Sequence, residues 1–242
     1  MAMLESEMND LIADCNDRVN AAYQFCYPVR DAALQRQAAA DLDAYLEVLG
    51  RAKADCQAAQ RSDAANVALG MHCFALSVRC FLQMWIELRD DDPGSAWDSL
   101  VNSQVNARMA MRISQSFAEQ LEGLVRRLDA VEQVVFPAIQ FVSPSMVVSG
   151  TKCSLCNAAF HECSHVSGLA YNGEFCVEVV DGIKSVDHIA LVEHPRDKRC
   201  RLTECFERGH VLDAFTLRRT DRSDAISEDG LPRLTAIVLH AD

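Results

Sequence analysis

The sequence predicts a multi-domain chain of α plus α+β class, in which an N-terminal helical bundle precedes a small β-containing module. Three observations carry that expectation. Apolar residues recur at three- and four-residue intervals as far as Val135, the spacing that puts them on one helical face. Composition changes after Pro137 toward β-branched residues, serine and turn-forming dipeptides. The thirteen residues Cys153 to His165 then hold three cysteines and two histidines. The domains expected are a bundle over 1–137, a linker over 138–150 and an α+β module over 151–242.

The opening helix carries Leu4, Met8, Leu11, Ile12, Cys15 and Val19 on one stripe, and Pro28 interrupts it, because the residue before a proline is disfavoured in helical conformation. A second stripe runs through Ala33, Leu34, Leu42, Tyr45, Leu46 and Leu49, with Gly50 as a weak point. Ser62 or Asp63 is expected to cap the third helix, and Asp90-Asp91-Asp92-Pro93-Gly94 to end it. Ser95 is expected to cap a fourth, with Trp97, Leu100, Val101, Val105 and Met109 inward. The last stripe links Phe117, Leu121, Leu124, Val125, Leu128, Val131 and Val135. Four to six helices with short connections make a bundle.

The segment from Val67 to Ile86 is the most apolar, but it holds His72, Arg79 and Gln83. An arginine inside hydrocarbon costs roughly 2.5–3.5 kcal/mol on insertion scales, so a buried bundle helix is expected and no membrane association. No basic region followed by an apolar block opens the chain, and Cys15, Cys26, Cys56, Cys73 and Cys80 lack framework spacing. Both features place the expected chain in a reducing cytoplasm, with these cysteines as small core residues.

Net charge is −12, from 35 acids against 23 bases, which excludes a broad phosphate-neutralising surface. Two local basic clusters remain: Arg196, Lys198, Arg199 and Arg201, then Arg218, Arg219 and Arg222. They are the candidates for contact with nucleic acid or an acidic partner, diluted by Asp197, Asp221 and Asp224.

After Pro137, residues 138–150 suit an extended linker or strand. Short β-like runs follow at Phe175–Val180, His188–Val192, Arg201–Phe206 and Leu234–His240, separated by Asn172-Gly173, Asp181-Gly182 and Pro195. Residues 220–230 read as an exposed acidic loop.

The chemistry concentrates in Cys153-Ser-Leu-Cys156-Asn-Ala-Ala-Phe-His161-Glu-Cys163-Ser-His165. A C-x2-C pair on a tight turn aims two thiolates at one ion, and Cys163 with His165 completes a tetrahedral set of three sulfurs and one nitrogen. Asn157 suits the left-handed backbone that such turns need. That donor set favours a structural Zn2+. His161 and Cys176 are alternatives to His165 as fourth ligand. A retroviral-type knuckle fails because its last ligand position falls on Val166, and a two-Cys, two-His finger fails for want of a long spacer. Glu162 is the nearest carboxylate able to serve an open, catalytic metal. Four compact ligands favour a closed site.

The stretch from about 141 to 201 resembles a zinc-bearing module of uncharacterised bacterial and prophage proteins. The pattern is C-x2-C, then C-x-H, then Gly168-x2-Tyr171-x-Gly173-x2-Cys176. Downstream, His188-Ile-Ala-Leu-Val-Glu-His-Pro195 is similar to the strand Glu-Val-Ser-Leu-Val-x-x-Pro-Ala of phage prohead maturation proteases. There the polar Glu and Ser are replaced by His188 and Ala190, so the resemblance implies related strands without peptidase chemistry.

The expected function is a noncatalytic zinc-binding adaptor or regulatory subunit. It acts through protein contacts, in a hetero- or homo-oligomer, within a phage-related or antiphage defence assembly. Two alternatives stand beside it. One is a nucleic-acid-binding accessory protein. The other is a hydrolase using His188, His194 and His210 with Cys200 or Cys205, the former activated by its basic neighbours.

Overall fold

The computed structural model describes residues 2–222, 226, 227, 229 and 231–238. Five helices come first: α1 (Ala2–Tyr23), α2 (Ala32–Ala58), α3 (Ser62–Arg89), α4 (Pro93–Met111) and α5 (Gln115–Val135). Eight short strands follow among the described residues: β1 (Phe141–Val148), β2 (Thr151–Cys153), β3 (Ala170–Tyr171), β4 (Glu174–Phe175), β5 (Glu178–Val180), β6 (Ile183–Val192), β7 (Glu204–Glu207) and β8 (His210–Asp213). They pair two by two, β1 with β6, β2 with β5, β3 with β4 and β7 with β8. The α plus α+β class is the one the sequence predicts.

Helix starts differ from expectation in two places. The residue preceding α3 is Arg61, which makes no side-chain cap, so the helix begins at Ser62 itself. Asp92 rather than Ser95 caps α4: its carboxylate accepts from the Ser95 amide at 3.0 Å, and Pro93 fills the first turn, where no amide is needed. Gly50 neither ends nor divides α2. The second-to-last expected strand shortens to β7, and Leu234–His240 contributes a bridge from Ala236 to Leu202, its last two residues lying outside those described. The 220–230 loop is described only in part.

Contacts group the described residues into two compact units, and they group them differently from the partition expected at 137 and 150. One unit combines 1–129 with 151–179; the other combines 130–150 with 180–242. The cysteine-rich segment therefore belongs with the bundle.

Within the first unit α3 is the axle. It is apolar and long enough to cross a membrane, yet 72% of that window is buried inside the protein. Trp97 and Leu100 from α4, Leu42 and Leu49 from α2, and Phe81 and Leu82 from α3 are almost inaccessible. Small side chains at Ala96, Ser103, Ala107 and Ala110 let α4 approach α3 closely. There Ser77 Oγ donates to the Ser103 carbonyl (2.9 Å) and Ser103 Oγ returns a bond to the Ser77 carbonyl (2.8 Å), so both buried hydroxyls are satisfied. The five bundle cysteines are buried, and burial pushes the Cys73 and Cys80 thiols up to about 11, as inert core residues require. Val105 and Leu34, read as stripe residues, are exposed.

Helix α5 is fastened by Leu121, Leu124 and Leu128 on one face and by Arg127. The Arg127 guanidinium lies 3.9 Å from the centre of the Tyr27 ring, 4.9 Å from Tyr23 and 5.1 Å from Phe81, and it donates to the Cys26 carbonyl. A planar cation among three rings ties α5 to α1, to the turn after it and to α3.

In the second unit Phe136 meets Phe215 edge-on at 5.8 Å, and buried Arg201 stacks over Phe215. Residues 138–150, expected as linker or strand, form β1. Its register with β6 runs from Phe141 opposite Val192 to Ser145 opposite His188, then places Met146 opposite Val186, Val147 opposite Ser185 and Val148 opposite Ile183. Asp187 and Lys184 are the residues skipped, so each bulge ejects one charge from the ladder. The effect is to keep one face apolar throughout. Val142, Pro144, Met146 and Val148 share it with Leu191, Ile189, Val186 and Ile183.

Replacing Arg127 by Ala removes the stacked cation and the bond to Cys26. The expected loss is about 2 kcal/mol of stability, read as a lower urea midpoint with unchanged slope. Arg127→Lys keeps the charge without the plane and is expected to recover less than half of it.

Candidate metal centre

The turn after β2 is built by three bonds from backbone amides. The Cys153 amide donates to the Ala158 carbonyl, the Asn157 amide to the Cys153 carbonyl (both 2.9 Å), and the Leu155 amide to Cys153 Sγ (3.4 Å). Asn157 takes φ +63°, the left-handed conformation its position requires. A short 3-10 turn, Phe160–Glu162, then swings Cys163 and His165 back toward Cys153 and Cys156.

The ligand atoms of Cys153, Cys156, Cys163 and His165 all lie within 4.8 Å of one another, and this cluster can hold a metal ion. Individual separations are 3.4 Å between Cys156 and Cys163 Sγ, 3.6 Å from Cys153 Sγ to His165 Nδ1, and 3.1 Å from Cys163 Sγ to the same nitrogen. A tetrahedral ion with metal–sulfur bonds of about 2.3 Å sets its sulfurs about 3.8 Å apart and sulfur–nitrogen pairs about 3.5 Å apart. The observed spacings sit at or a few tenths of an ångström below those edges. Cys176 is a buried fifth thiol, its Sγ 3.7 Å from that of Cys153. His161 turns away: its side chain is 80% exposed and pairs with Glu162 at 3.7 Å. The carboxylate considered as a base for an open metal thus faces solvent beside His161.

Proton affinities within the cluster diverge. Burial raises the Cys153 thiol, but the Cys156 and Leu155 amides and hydrogen bonds with Cys163 and Cys156 outweigh it and bring the group to about 6. Burial pushes Cys163 up to about 11, reinforced by its bonds with Cys156 and Cys153 and by the charge on Cys153. Cys176 is raised by burial first and then by Cys153. One thiolate thus forms readily and suppresses its neighbours until a cation compensates them.

The Gly-Tyr-Gly-Cys positions each acquire a physical task. Tyr171 packs edge-on against the His165 ring at 4.7 Å, and its hydroxyl accepts from the Val166 amide at 3.0 Å, fixing the imidazole's orientation. Gly168 (φ +84°) donates to the Cys176 carbonyl at 2.8 Å. Gly173 (φ +78°) donates to Asn66 Oδ1 at 2.8 Å, and a Cβ there would meet Lys53 at 3.0 Å and Ala65 at 3.2 Å. Gln57 adds a bond to the Asn172 carbonyl at 2.8 Å. The cysteine hook is therefore docked on the α2–α3 corner, a contact that the sequence did not reveal. The turn-forming Asn172-Gly173 pair was its only trace.

The other sequence candidates fall elsewhere. Lys198 pairs with Glu132 at 2.6 Å, Arg199 with Asp197 at 2.9 Å, and Arg222 with Glu204 at 2.5 Å. Arg201 is only 2% exposed. These cations of the two basic clusters are thus committed internally; Arg196, Arg218 and Arg219 are not among those pairs. His188 lies in β6 opposite Ser145, and His210 opens β8 opposite Glu207. Among the described residues the only grouping of three or more potential ligands is the hook, so His188, His194 and His210 do not converge. Cys200 is buried. The Cys205 thiol is raised, by burial and then by Glu207 and Asp213, the opposite of activation.

No family model matches the sequence, and comparison with curated proteins and with solved structures returns no match. The site is thus defined by its own geometry, as a three-cysteine, one-histidine cluster carried on a helical bundle.

Since Cys163 is protonated near neutrality, loading the site must release its proton. Calorimetric titration with Zn2+ in buffers of different ionisation enthalpy is expected to show at least one proton released at pH 7, with apparent affinity rising about tenfold per unit from pH 7 to 8. Tyr171→Ala should free the His165 ring and weaken Zn2+ binding about 10- to 100-fold, while Tyr171→Phe, which keeps the ring contact, should stay within a few-fold of the parent.

Proposed function

We propose that this chain is a noncatalytic, zinc-stabilised subunit that works through protein contacts. The observation that carries the reading is the closed donor set. Four ligand atoms lie within 4.8 Å of one another, while Glu162, the carboxylate beside Cys163 in sequence, is exposed with His161. A fully ligated ion offers no place for substrate or water and contributes folding energy instead. Zinc is favoured over iron and other ions because three thiolates and an imidazole suit a tetrahedral ion without redox chemistry. The setting proposed is a phage-related or antiphage defence assembly, as the module resemblance of the cysteine segment implies.

Two measurements test this. Purified chain should contain one zinc per molecule, and its Co2+-substituted form should give the intense, tetrahedral three-thiolate spectrum, unchanged by Cys176→Ser and lost on Cys163→Ser. Tagged full-length chain from its native cells should retain a stoichiometric protein partner. Zinc-dependent hydrolysis of an ester or phosphodiester, abolished by Glu162→Gln, would overturn the noncatalytic reading.

A further inference from the structure

The β1–β6 ribbon carries an apolar face whose outer half is open to solvent. Ile183, Val186, Ile189 and Leu191 are 51%, 56%, 53% and 64% exposed, and all four point to the same side. A two-stranded ribbon is marginal in water on its own, and an aligned row of exposed apolar residues marks a contact surface. At its base, Leu191, Val192 and Ile139 border a concavity of about 270 Å³ that also includes Glu193.

Three features select the occupant. The bulges at Asp187 and Lys184 break the regular run of β6 and so blunt its edge against a further strand; the face is what remains for docking. The exposed charges along 181–196 are Asp181, Asp187 and Glu193 against Lys184 and Arg196, on a chain of net charge −12. A second copy would bring the same net negative charge against itself. A helix about 10 Å across matches the ribbon's width, and about 16 residues span its length.

We infer that this face docks an amphipathic helix of a partner protein, apolar toward the ribbon and basic along its flanks, with one Lys or Arg seated in the concavity against Glu193. The aliphatic stem of that residue lies on Leu191 while its charge meets the carboxylate. The inference rests on the protein-contact reading and gives it a location and a partner chemistry.

The test is fluorescence anisotropy of the zinc-loaded full chain with labelled 16-residue peptides. One is a leucine-faced helix with lysine flanks, and its twin has glutamate flanks. The lysine peptide is expected to bind at least tenfold tighter than the twin at low salt. Val186→Ser with Ile189→Ser should weaken it at least tenfold while zinc content and melting midpoint stay unchanged, and Glu193→Lys should move the preference at least fivefold toward the glutamate twin. Equal binding of the two peptides would overturn the inference, as would equal binding of a proline-interrupted lysine peptide or no response to the face substitutions. Self-association in sedimentation that the serine substitutions abolish would assign the face to a second copy. Binding to phosphatidylcholine–phosphatidylglycerol vesicles that those substitutions abolish, without peptide binding, would assign it to lipid. Each of these failures leaves the zinc content and the co-purifying partner untouched, so the subunit reading falls only on its own measurements.

Discussion

Three sulfurs gathered within a few ångströms of one another repel as soon as two of them ionise. Everything between Thr151 and Val179 is arranged around that constraint. Backbone amides aimed at Cys153 make one thiolate easy to form, while burial first, and then its bonds with Cys156 and Cys153 and the charge on Cys153, keep Cys163 in its thiol form. A cation at the centre would offset that repulsion, and the tight turn at Asn157 and the ring of Tyr171 hold the donor side chains close together. A loop with so little apolar surface of its own has few other means of holding a fixed shape.

The hook's geometry is passed to the bundle through polar backbone contacts. Asn66 accepts the Gly173 amide and Gln57 reaches the Asn172 carbonyl, so the corner between α2 and α3 reads the hook's main chain and needs glycine there for closeness. The axle helix α3 thereby serves twice, as the core of the bundle along its length and as the landing site for the hook at its start. In the second unit the comparable burden falls on charge pairing. Glu204, 7% exposed, accepts from Arg222 and from the Thr235 amide, so cations that look available in the sequence are consumed in joining distant segments.

How much could be read beforehand follows from the range of the interactions involved. The helices were legible because 3.6-residue periodicity is local, and the clustered Cys153, Cys156, Cys163 and His165 were legible because they lie in one short run. Asn157's left-handed turn was legible for the same reason. The capping of α4 by Asp92 in place of Ser95 turned on which side chain first reaches an exposed amide, a matter of one turn of chain. Out of reach were the pairings across sequence: β1 with β6, Lys198 with Glu132, Gly173 with Asn66. The two charged skips in β6 were also invisible, because period-two alternation in Ile183–Val192 fails unless Asp187 and Lys184 are removed, and only the partner strand identifies them as the ones to remove.

The hook is spliced between the two arms of a hairpin. β1 ends at Val148 and β6 starts at Ile183, so those strands must find each other across a long intervening stretch. When β2 pairs with β5 and the Ser149 amide bonds to the Gly182 carbonyl, that stretch is cinched to a few residues, sparing about 2 kcal/mol of closure entropy. The β2–β5 pair therefore acts as a clasp that keeps the ends of β1 and β6 within reach of each other.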